Sequence, residues 1–386
     1  MILEKINENV CFGCSACVIA CPTAALRLYI DERGFLKPKL VGECIGCNLC
    51  EEVCPALNPV FISNKPDCFA GWSRNKFLRS FSSSGGVATS LSLDFVSRGG
   101  YVVGASYSND FRLVKHEVAK NPQDILRFTG SKYVQSNPIS ALSLLRESNN
   151  EKFLIIGTPC MICGVRKLME KKVLSGDFVL IDLFCHGVPS YLLWWAYLKY
   201  LEKRIGRILF INQRFKPHGW RNFATYVVGT KGIYLKMHKE DPFMIMFLGN
   251  YFLRESCFKC PFRLTRSCAD IRLGDFWNPF FHSDLLGLSL VLVYTNKAID
   301  LLESSKDVFL RAIPFEAIYA SQPSRVIKPL NYEDTFKTLM ERRDLEEVLR
   351  THFKFIALKN KIATMQSHIR NLVLKLARNI LFSKQV

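Results

Sequence analysis

The hydrophobic residues of the chain fall into short runs that predict strands. Uninterrupted apolar runs cover residues 101–105, 153–157 and 178–184, and a further strand-like segment covers residues 269–277. Runs of this length bounded by turn residues are typical of buried strands in an α/β sheet. Nearer the amino terminus, apolar residues alternate at Leu26, Leu28 and Ile30 before a polar turn at residues 31–34, which predicts a smaller strand.

Two segments carry helical periodicity. The first has Val87, Leu91 and Phe95 at helical spacing and is ended by Gly99 and Gly100. The second is predicted to open at Pro189 and to run through Tyr191, Trp194, Trp195 and Leu198. Its aromatic stripe favours packing in the core over contact with a cofactor. Strands that alternate with helices predict an α/β body built on a mixed sheet.

Residues 346–386 are predicted to form a basic helical tail. Apolar residues recur at helical spacing at Ile362, Met365, Ile369, Leu372, Leu376 and Ile380, and the polar side carries Lys359, Lys361, Arg370, Lys375, Arg378 and Lys384. A basic amphipathic helix can lie on an anionic membrane surface, which would be a peripheral membrane contact, or dock against an acidic partner. Packing against the core of the chain itself is the alternative.

Eight of the 15 cysteines fall in two copies of one spacing. Cys11, Cys14, Cys17, Cys21 and Pro22 read C-x2-C-x2-C-x3-C-P, and the same pattern returns at Cys44, Cys47, Cys50, Cys54 and Pro55. This is the bacterial ferredoxin run, in which the fourth cysteine ligates the other cluster. Cys11, Cys14, Cys17 and Cys54 are therefore predicted to hold one 4Fe-4S cluster. Cys44, Cys47, Cys50 and Cys21 are predicted to hold the second.

The duplicated run predicts an α+β dicluster ferredoxin module. Gly13 and Gly46 are expected to supply a turn without a Cβ where the backbone passes close to inorganic sulfide. Structural zinc is the alternative, because C-x2-C pairs also bind zinc. Two complete sets in the same register argue against zinc.

Composition and charge narrow the class of protein. No secretory signal and no run of roughly 20 apolar residues is present, so a cytoplasmic location and metal-binding cysteines are expected. The formal net charge is +18, and residues 1–60 carry −2, so the remainder carries +20. Such charge could attract phosphorylated cofactors, an acidic partner, nucleic acid or anionic membrane. Nucleic-acid binding is not expected, because no recognition motif accompanies the charge.

Four further cysteines could make a third 4Fe-4S site. Cys160 and Cys185 follow two of the predicted strands, at the edge where open α/β sheets bind ligands. Cys257 and Cys260 precede the strand-like segment at 269–277. Spacing alone leaves two alternatives open: buried free cysteines that act as small hydrophobic residues, or a zinc site at Cys257 and Cys260.

A Ser/Gly loop at residues 82–86 opens the first predicted helix. Its backbone N–H groups and hydroxyls could bind an anion, typically a phosphate. A polar N-cap followed by a flexible turn is the alternative.

The order of these features resembles the beta-subunit family of coenzyme F-420 hydrogenases and dehydrogenases. The resemblance runs through most of residues 1–300. After the duplicated ferredoxin run it is carried by AGWS at Ala70–Ser73, SSSGG at Ser82–Gly86, GSKYVQS at Gly130–Ser136, GTPC at Gly157–Cys160, DLFCHGVPS at Asp182–Ser190, HGW at His218–Trp220, CFKCPF at Cys257–Phe262 and ADIRLGDFW at Ala269–Trp277. Each motif is short, and their common order is what makes the resemblance specific.

The resemblance implies FAD bound by the α/β body, with an iron–sulfur cluster beside it. Carried over residue by residue, the flavin-site candidates are Ser83, Ser84, Gly85, Gly86, Gly130, Ser131, Lys132 and Tyr133. The same resemblance makes Cys160, Cys185, Cys257 and Cys260 candidate ligands of the third cluster. His186 could protonate a substrate or hydrogen-bond the flavin, and a structural role is its alternative. Cys163 and Cys268 depart from the family pattern and, like Cys68, are expected to be inert, with a role as spare cluster ligands as the alternative for Cys163 and Cys268.

The predicted function is that of an iron–sulfur flavoprotein oxidoreductase in electron transport. Single electrons would pass from an electron-donor protein such as ferredoxin, or from a partner oxidoreductase subunit, through the clusters to FAD. The small-molecule hydride acceptor would be coenzyme F-420 or an unidentified substrate. The alternative is a non-catalytic electron-transfer subunit of a larger reductase or dehydrogenase complex.

The predicted domain organisation has four parts. A two-cluster ferredoxin domain covers residues 1–60, and a part with the flavin loop covers residues 61–150. A part with the third cluster and the flavin site covers residues 151–345, and the basic tail covers residues 346–386.

Overall fold

The amino-terminal module pairs short helices with one hairpin. The structure, a computed structural model, describes residues 2–7, 10–148, 151–278 and 283–353. The module contains α1 (Ile2–Lys5), α2 (Ala16–Ala20), β1 (Leu26–Ile30), β2 (Leu36–Leu40) and α3 (Leu49–Glu52). β1 and β2 pair antiparallel, and Gly34 takes a positive φ of 78° in the turn between them. The predicted strand and its turn are thus confirmed.

A nine-stranded mixed sheet forms the body. Its strands are β3 (Asp67–Ser73), β4 (Tyr101–Tyr107), β5 (Val114–Ala119), β6 (Ser136–Asn137), β7 (Lys152–Gly157), β8 (Asp177–Leu183), β12 (Ile271–Asp275), β13 (Ser289–Val293) and β14 (Val308–Ala312). The order is β14-β3-β13-β12-β8-β7-β4-β5-β6. The central strands β12, β8, β7 and β4 are parallel, and antiparallel pairs flank them. The strands predicted from the four apolar segments are confirmed, as is the mixed α/β fold.

A second, three-stranded antiparallel sheet covers one end of the body. It consists of β9 (Ile208–Phe215), β10 (Ala224–Gly229) and β11 (Gly232–Met237), in the order β11-β10-β9. The two sheets together supply the walls of the cavity described below.

The helices lie in the connections between strands and at the carboxyl-terminal end. They are α4 (Lys76–Phe81), α5 (Val87–Ser97), α6 (Pro122–Phe128), α7 (Ile139–Glu147), α8 (Pro159–Glu170), α9 (Tyr191–Ile205), α10 (Pro242–Leu248), α11 (Glu255–Phe258), α12 (Asn296–Ser304), α13 (Ala317–Ser321), α14 (Tyr332–Arg342) and α15 (Leu345–His352). A 3-10 turn covers Trp220–Asn222.

The aromatic helix α9 packs in the core, as predicted. Its N-cap is Ser190, whose hydroxyl accepts a hydrogen bond from the Leu192 backbone N–H at 2.9 Å, so Pro189 precedes the cap. Tyr191, Trp194 and Tyr197 are buried in one cluster with side chains of α10 and α14. The stripe is therefore a packing surface, because burial of large rings is a strong hydrophobic contribution.

The amino-terminal module packs against helix α8. Ala16 and Ile19 of α2 share a hydrophobic core with Ile162 and Val165 of α8. A Cβ on Gly164 would lie 3.0 Å from the Ala16 Cβ and 3.4 Å from the Cys14 sulfur. A larger residue at position 164 would force the two helices apart, because a packed interface has no space for added atoms.

A buried ion pair joins two central strands, between the carboxyl end of β8 and the start of β12. Arg272 on β12 donates to both carboxylate oxygens of Asp182 on β8, at 2.7 and 2.6 Å, and neither side chain has exposed surface. Arg272 also donates to the backbone carbonyls of Phe262 and Leu264. The pair therefore fixes the loop that follows Cys257 and Cys260 onto the edge of the sheet.

The carboxyl-terminal part that the structure describes is helical. α14 and α15 pack beside α9 through Phe336, Leu339, Leu345 and Val348. The amphipathic pattern from Ile362 to Ile380 lies outside the described residues, so the predicted roles of the tail stay predictions. Among the described helices, none has the length and apolar character needed to cross a bilayer.

We expect Arg272→Met to lower the free energy of unfolding by about 3–5 kcal/mol, because the Asp182 carboxylate is left buried without its counter-charge. Urea unfolding followed by far-UV circular dichroism under anaerobic conditions measures this. The double variant Asp182→Leu/Arg272→Met is the control, and it should lose less than the single variant, because both charges are then removed. A double variant that loses as much as the two single variants together would contradict this account.

Candidate functional site

The first predicted ligand set lies together inside the amino-terminal module. The side chains of Cys11, Cys14, Cys17 and Cys54 line one small cavity of about 20 Å³ between the helices and the hairpin. Burial, and then the neighbouring thiols Cys54 and Cys17, raise the pKa of Cys14 well above its ordinary value. The Gly13 backbone N–H lies 3.3 Å from the Cys11 sulfur, which it can serve as a hydrogen-bond donor. Four converging thiols with an N–H donor fit a 4Fe-4S cluster.

The second predicted set lies at the surface. Cys44 and Cys47 are exposed, whereas Cys21 and Cys50 are partly buried. The Thr23 hydroxyl lies 3.7 Å from the Cys21 sulfur and donates to the carbonyl of Glu43, so it joins Cys21 to the loop that holds Cys44. Burial raises the pKa of Cys50, with a smaller contribution from Cys47. A protein partner can contact this set directly, because two of its cysteines are exposed.

The third predicted set is also brought together. Cys160 is at the start of α8, Cys185 follows β8, and Cys257 and Cys260 lie in and after α11. Burial raises the pKa of Cys185 to about 12, and the nearby thiols of Cys257 and Cys260 contribute in the same direction. Burial likewise raises the pKa of Cys160, which Cys185, Cys260 and Cys257 also affect. Since iron ligation requires thiolates, cluster binding would have to displace these protons.

In the described ranges, no three His, Cys, Asp or Glu side chains lie close enough to hold one metal ion together. A cubane differs from a single ion, because it distributes its thiolate ligands over several iron atoms.

The first and third sets are adjacent. The Cys14 thiol is close enough to that of Cys160 for the two to interact electrostatically, an interaction that raises the pKa of Cys14. Cys17 and Cys54 in turn interact with Cys50 of the surface set, which raises the pKa of both. The three sets therefore follow one another from the surface into the body.

A cavity of about 630 Å³ adjoins the third set. Cys14, Cys160 and Cys185 line it, together with residues that follow β7, β8 and β12 and with Arg214 on β9. Ligand pockets typically measure about 300–1,000 Å³, and open α/β sheets bind ligands at the carboxyl ends of their strands. The cavity thus has the size and the place expected of a cofactor site.

Seven of the eight flavin-site candidates line this cavity: Ser83, Ser84, Gly86, Gly130, Ser131, Lys132 and Tyr133. Gly85 is not among the lining residues. A Cβ at position 85 would lie 2.4 Å from the Gly71 carbonyl oxygen, so this glycine permits close contact between the loop and β3.

Several polar groups of the flavin candidates already have protein partners. The Ser83 hydroxyl accepts from the Ser131 N–H at 2.7 Å, and the Ser84 hydroxyl donates to the Leu288 carbonyl. The Lys132 ammonium donates to the carbonyls of Arg127, Thr129 and Gly130, while burial and then Arg127 lower its pKa to about 7. These bonds hold the two loops in the cavity wall, and a bound anion would have to compete with the three carbonyls for Lys132.

His186 lines the cavity with its ring held on both sides. Its Nε2 lies 2.7 Å from the Asn250 Oδ1, and its ring packs edge-on against Phe247. Burial lowers its pKa, against the bonds to Asn250 and to the Phe247 backbone. These contacts support a structural role for His186. The residue nevertheless lines the cavity.

The thiols of the three remaining cysteines form hydrogen bonds with groups outside the predicted ligand sets. Cys163 and Cys268 contact each other, and both thiols point to the carbonyl of Val60. Cys68 donates to the Pro66 carbonyl. None of the three lines the cavity beside the third set.

Sequence reasoning missed several polar residues of the cavity wall. Arg214 forms a bidentate pair with Asp275 and donates to the Ser83 carbonyl, and its Nε is buried without a hydrogen-bond partner. His116 lies between the Ser136 hydroxyl and the Ile156 carbonyl, and burial lowers its pKa to about 4. The one available signal was the polar pair Gln213-Arg214 inside an otherwise apolar strand.

Comparison with known proteins bears on two parts of the chain. Residues 150–314 match the family model for the carboxyl-terminal part of the beta subunit of coenzyme F420 hydrogenase/dehydrogenase, and residues 4–61 match that of the 4Fe-4S dicluster domain. No curated protein sequence matches the chain. A chain in a solved structure of the F420-reducing NiFe hydrogenase complex from Methanosarcina barkeri is similar at 18% identity with a TM-score of 0.47, over 74% of this chain and 90% of that one.

The family matches support iron–sulfur binding by the amino-terminal module. Residues 150–314 are similar to the carboxyl-terminal part of an oxidoreductase beta subunit, and they include all four cysteines of the third set.

The two glycines of the ferredoxin runs provide a test of why glycine is needed. A Cβ on Gly13 would lie 2.4 Å from the Gln135 Nε2 and 2.5 Å from the Leu36 carbonyl oxygen, whereas Gly46 has no protein atom within 4 Å of such a Cβ. Both have positive φ, 64° and 71°. We expect Gly46→Ala to cost about 1–2 kcal/mol from its backbone conformation alone. Gly13→Ala should cost about 2 kcal/mol more, because packed atoms must move.

Thermal unfolding and iron content of the two anaerobically purified variants measure the difference. If proximity to inorganic sulfide is what requires glycine, as the sequence predicts, the two substitutions would damage the protein equally.

Proposed function

We propose that the chain is an iron–sulfur flavoprotein oxidoreductase that relays single electrons from its clusters to FAD and on to a hydride-type acceptor. FAD would supply the conversion between one-electron and two-electron chemistry. The observation that carries this proposal is the succession of three thiol sets between the surface and the cavity.

The succession begins at the exposed thiols Cys44 and Cys47, where an electron-donor protein can approach. Cys50 of this set lies close enough to Cys17 and Cys54 of the inner set to interact with them electrostatically. Cys14 then couples the inner set to Cys160 across the contact between α2 and α8. A relay needs redox centres in close succession, and each set of thiols adjoins the next.

The cavity walls can hold a flavin. The hydroxyls of Ser83 and Ser131 would contact its polar groups, and Tyr133 would pack beside them. The buried Nε of Arg214 has no protein acceptor and would donate to a carbonyl or phosphate oxygen. Phe247 and Phe262 lie in the same wall, where they would exclude water.

The acceptor is proposed to be a small molecule, with coenzyme F-420 as one candidate. The beta-subunit family match of residues 150–314 favours this class. The cavity is concave and lies between the module and both sheets, which suits a small acceptor better than a protein.

Metal analysis tests the third set. We expect about 12 iron atoms and one flavin per chain after anaerobic purification, because three 4Fe-4S clusters contain four irons each. Cys160→Ala should retain about 8 iron atoms. The matched control is Cys163→Ala, one helical turn further along α8, which should retain all 12. A Cys160→Ala protein with unchanged iron, or a Cys163→Ala protein that loses four, would rule out the assigned ligand set.

The second candidate is a non-catalytic electron-transfer subunit whose partner holds the substrate site. The beta-subunit description of the matching family favours it. The purified, fully loaded chain distinguishes the two candidates when it is mixed anaerobically with dithionite-reduced ferredoxin and a small acceptor such as coenzyme F-420 or a viologen dye. We expect the chain alone to reduce coenzyme F-420, observed as loss of its absorbance. Reduction of the dye alone, with coenzyme F-420 unchanged, would support the electron-carrying role.

A further inference from the structure

Arg254 carries a buried positive charge with only neutral hydrogen-bond partners. The residue is 1% exposed. Its Nη1 donates to the Cys11 carbonyl at 3.2 Å, and its Nη2 donates to the Leu36 carbonyl at 2.9 Å and to the Gln135 Oε1 at 2.7 Å. Among the described residues, no carboxylate forms an ion pair with it. A buried charge without a counter-ion is strongly unfavourable, so an anion should lie nearby.

The guanidinium lies between two of the predicted cluster sites. Through the Cys11 carbonyl it contacts the loop of the first thiol set, where Ser256 donates to the same oxygen at 3.0 Å. Arg254 also lies three residues before Cys257 of the third set, and its backbone carbonyl accepts a hydrogen bond from the Cys257 N–H at 2.9 Å. The Gly13 position has no space for a Cβ partly because Arg254 Nη2 would lie 2.9 Å away.

We propose that Arg254 is the buried counter-charge of the inner iron–sulfur relay and raises the reduction potentials of the clusters at the first and third thiol sets. The inference rests on the proposed function, because it requires clusters at both sets. A 4Fe-4S cluster with four thiolate ligands is an anion, and each added electron makes it more negative. A fixed positive charge therefore favours the reduced form, and net charge is one of the factors that set cluster potentials.

The surface set is more open to solvent, because its Cys44 and Cys47 are exposed. Solvent screens charge, whereas burial preserves it. Arg254 would thus make the inner clusters easier to reduce than the surface cluster, so that an electron entering at the surface moves inward.

Arg263 offers a matched comparison within the same chain. Its guanidinium donates to the carbonyls of Cys185, His186 and Cys257, at 2.8, 3.0 and 3.1 Å. All three belong to the loops of the third set. Arg263 should therefore influence the third cluster and leave the first unchanged, whereas Arg254 should influence both.

The test is an anaerobic redox titration of the loaded full chain, monitored by electron paramagnetic resonance. For Arg254→Gln we expect about a tenfold shift of the first cluster's reduction equilibrium toward the oxidised form, the scale for a nearby unit charge at an effective dielectric constant of about 20. Tenfold corresponds to about 59 mV for one electron. Arg254→Lys, which keeps the charge, should stay near the wild-type potential. The surface cluster should not move in either variant.

Three further variants separate charge from hydrogen bonding and from folding. Arg263→Gln should shift only the third cluster. Ser256→Ala removes a neutral bond to the Cys11 carbonyl and should shift the first cluster far less than Arg254→Gln. Gln135→Glu keeps Arg254 and places a carboxylate against its Nη2, so it should lower the first potential even if Arg254→Gln fails to fold.

The inference is overturned if potentials stay within twofold of wild type in Arg254→Gln and Gln135→Glu, or if Ser256→Ala shifts the first cluster equally. Wild-type protein that binds no clusters would overturn the proposed function as well, which its iron content reports separately.

Discussion

The redox arrangement depends on one close contact, that between α2 of the amino-terminal module and α8 of the body. Gly164 permits it, because a side chain there would meet Ala16 and the Cys14 sulfur. The contact does two things at once. It completes a shared hydrophobic core, and it places Cys14 beside Cys160, at the amino-terminal end of the same helix. Under the proposed function, electron transfer between module and body would rely on the same surface that holds them together.

Four arginines of the body differ in the groups that accept their hydrogen bonds. Arg272 and Arg214 each face a carboxylate, Asp182 and Asp275, and with it they form bidentate pairs that hold loops to the sheet. In the described part of the chain, the buried Arg254 and the partly buried Arg263 donate to carbonyl and amide oxygens, and both lie against cysteine-bearing loops. Paired arginines can be explained by the polypeptide alone. The buried charge of Arg254 is explained when the adjacent thiols hold an anionic group, which is an argument for a cluster that is independent of cysteine spacing.

The sequence predicted features that depend on local patterns. Cysteine spacing predicted the ferredoxin ligand sets, apolar runs predicted β4, β7 and β8, and a strand-like segment predicted β12, because a strand buried on both faces is largely apolar. The structure adds two neighbours of Gly13 that sequence reasoning did not foresee, since Gln135 and Leu36 occupy the space of its Cβ. Those residues are far away in the chain and meet Gly13 only after folding. Arg214 and Arg254 were missed for the same reason, because single charged residues in sequence carry no sign of which loops they will meet.

The gradient of exposure along the thiol sets constrains how partners can act. Cys44 and Cys47 are exposed, the Cys11 set is mostly buried, and the Cys160 set lies against a cavity between the module and both sheets. A protein donor can approach the first of these and has no comparable access to the last. A small acceptor can enter the cavity, where Cys14, Cys160 and Cys185 all contribute to the wall. The two reactants would thus be separated by the interior of the protein, and electrons could pass between them only through the buried sets, whose environment is set by neutral hydrogen bonds and by Arg254 and Arg263.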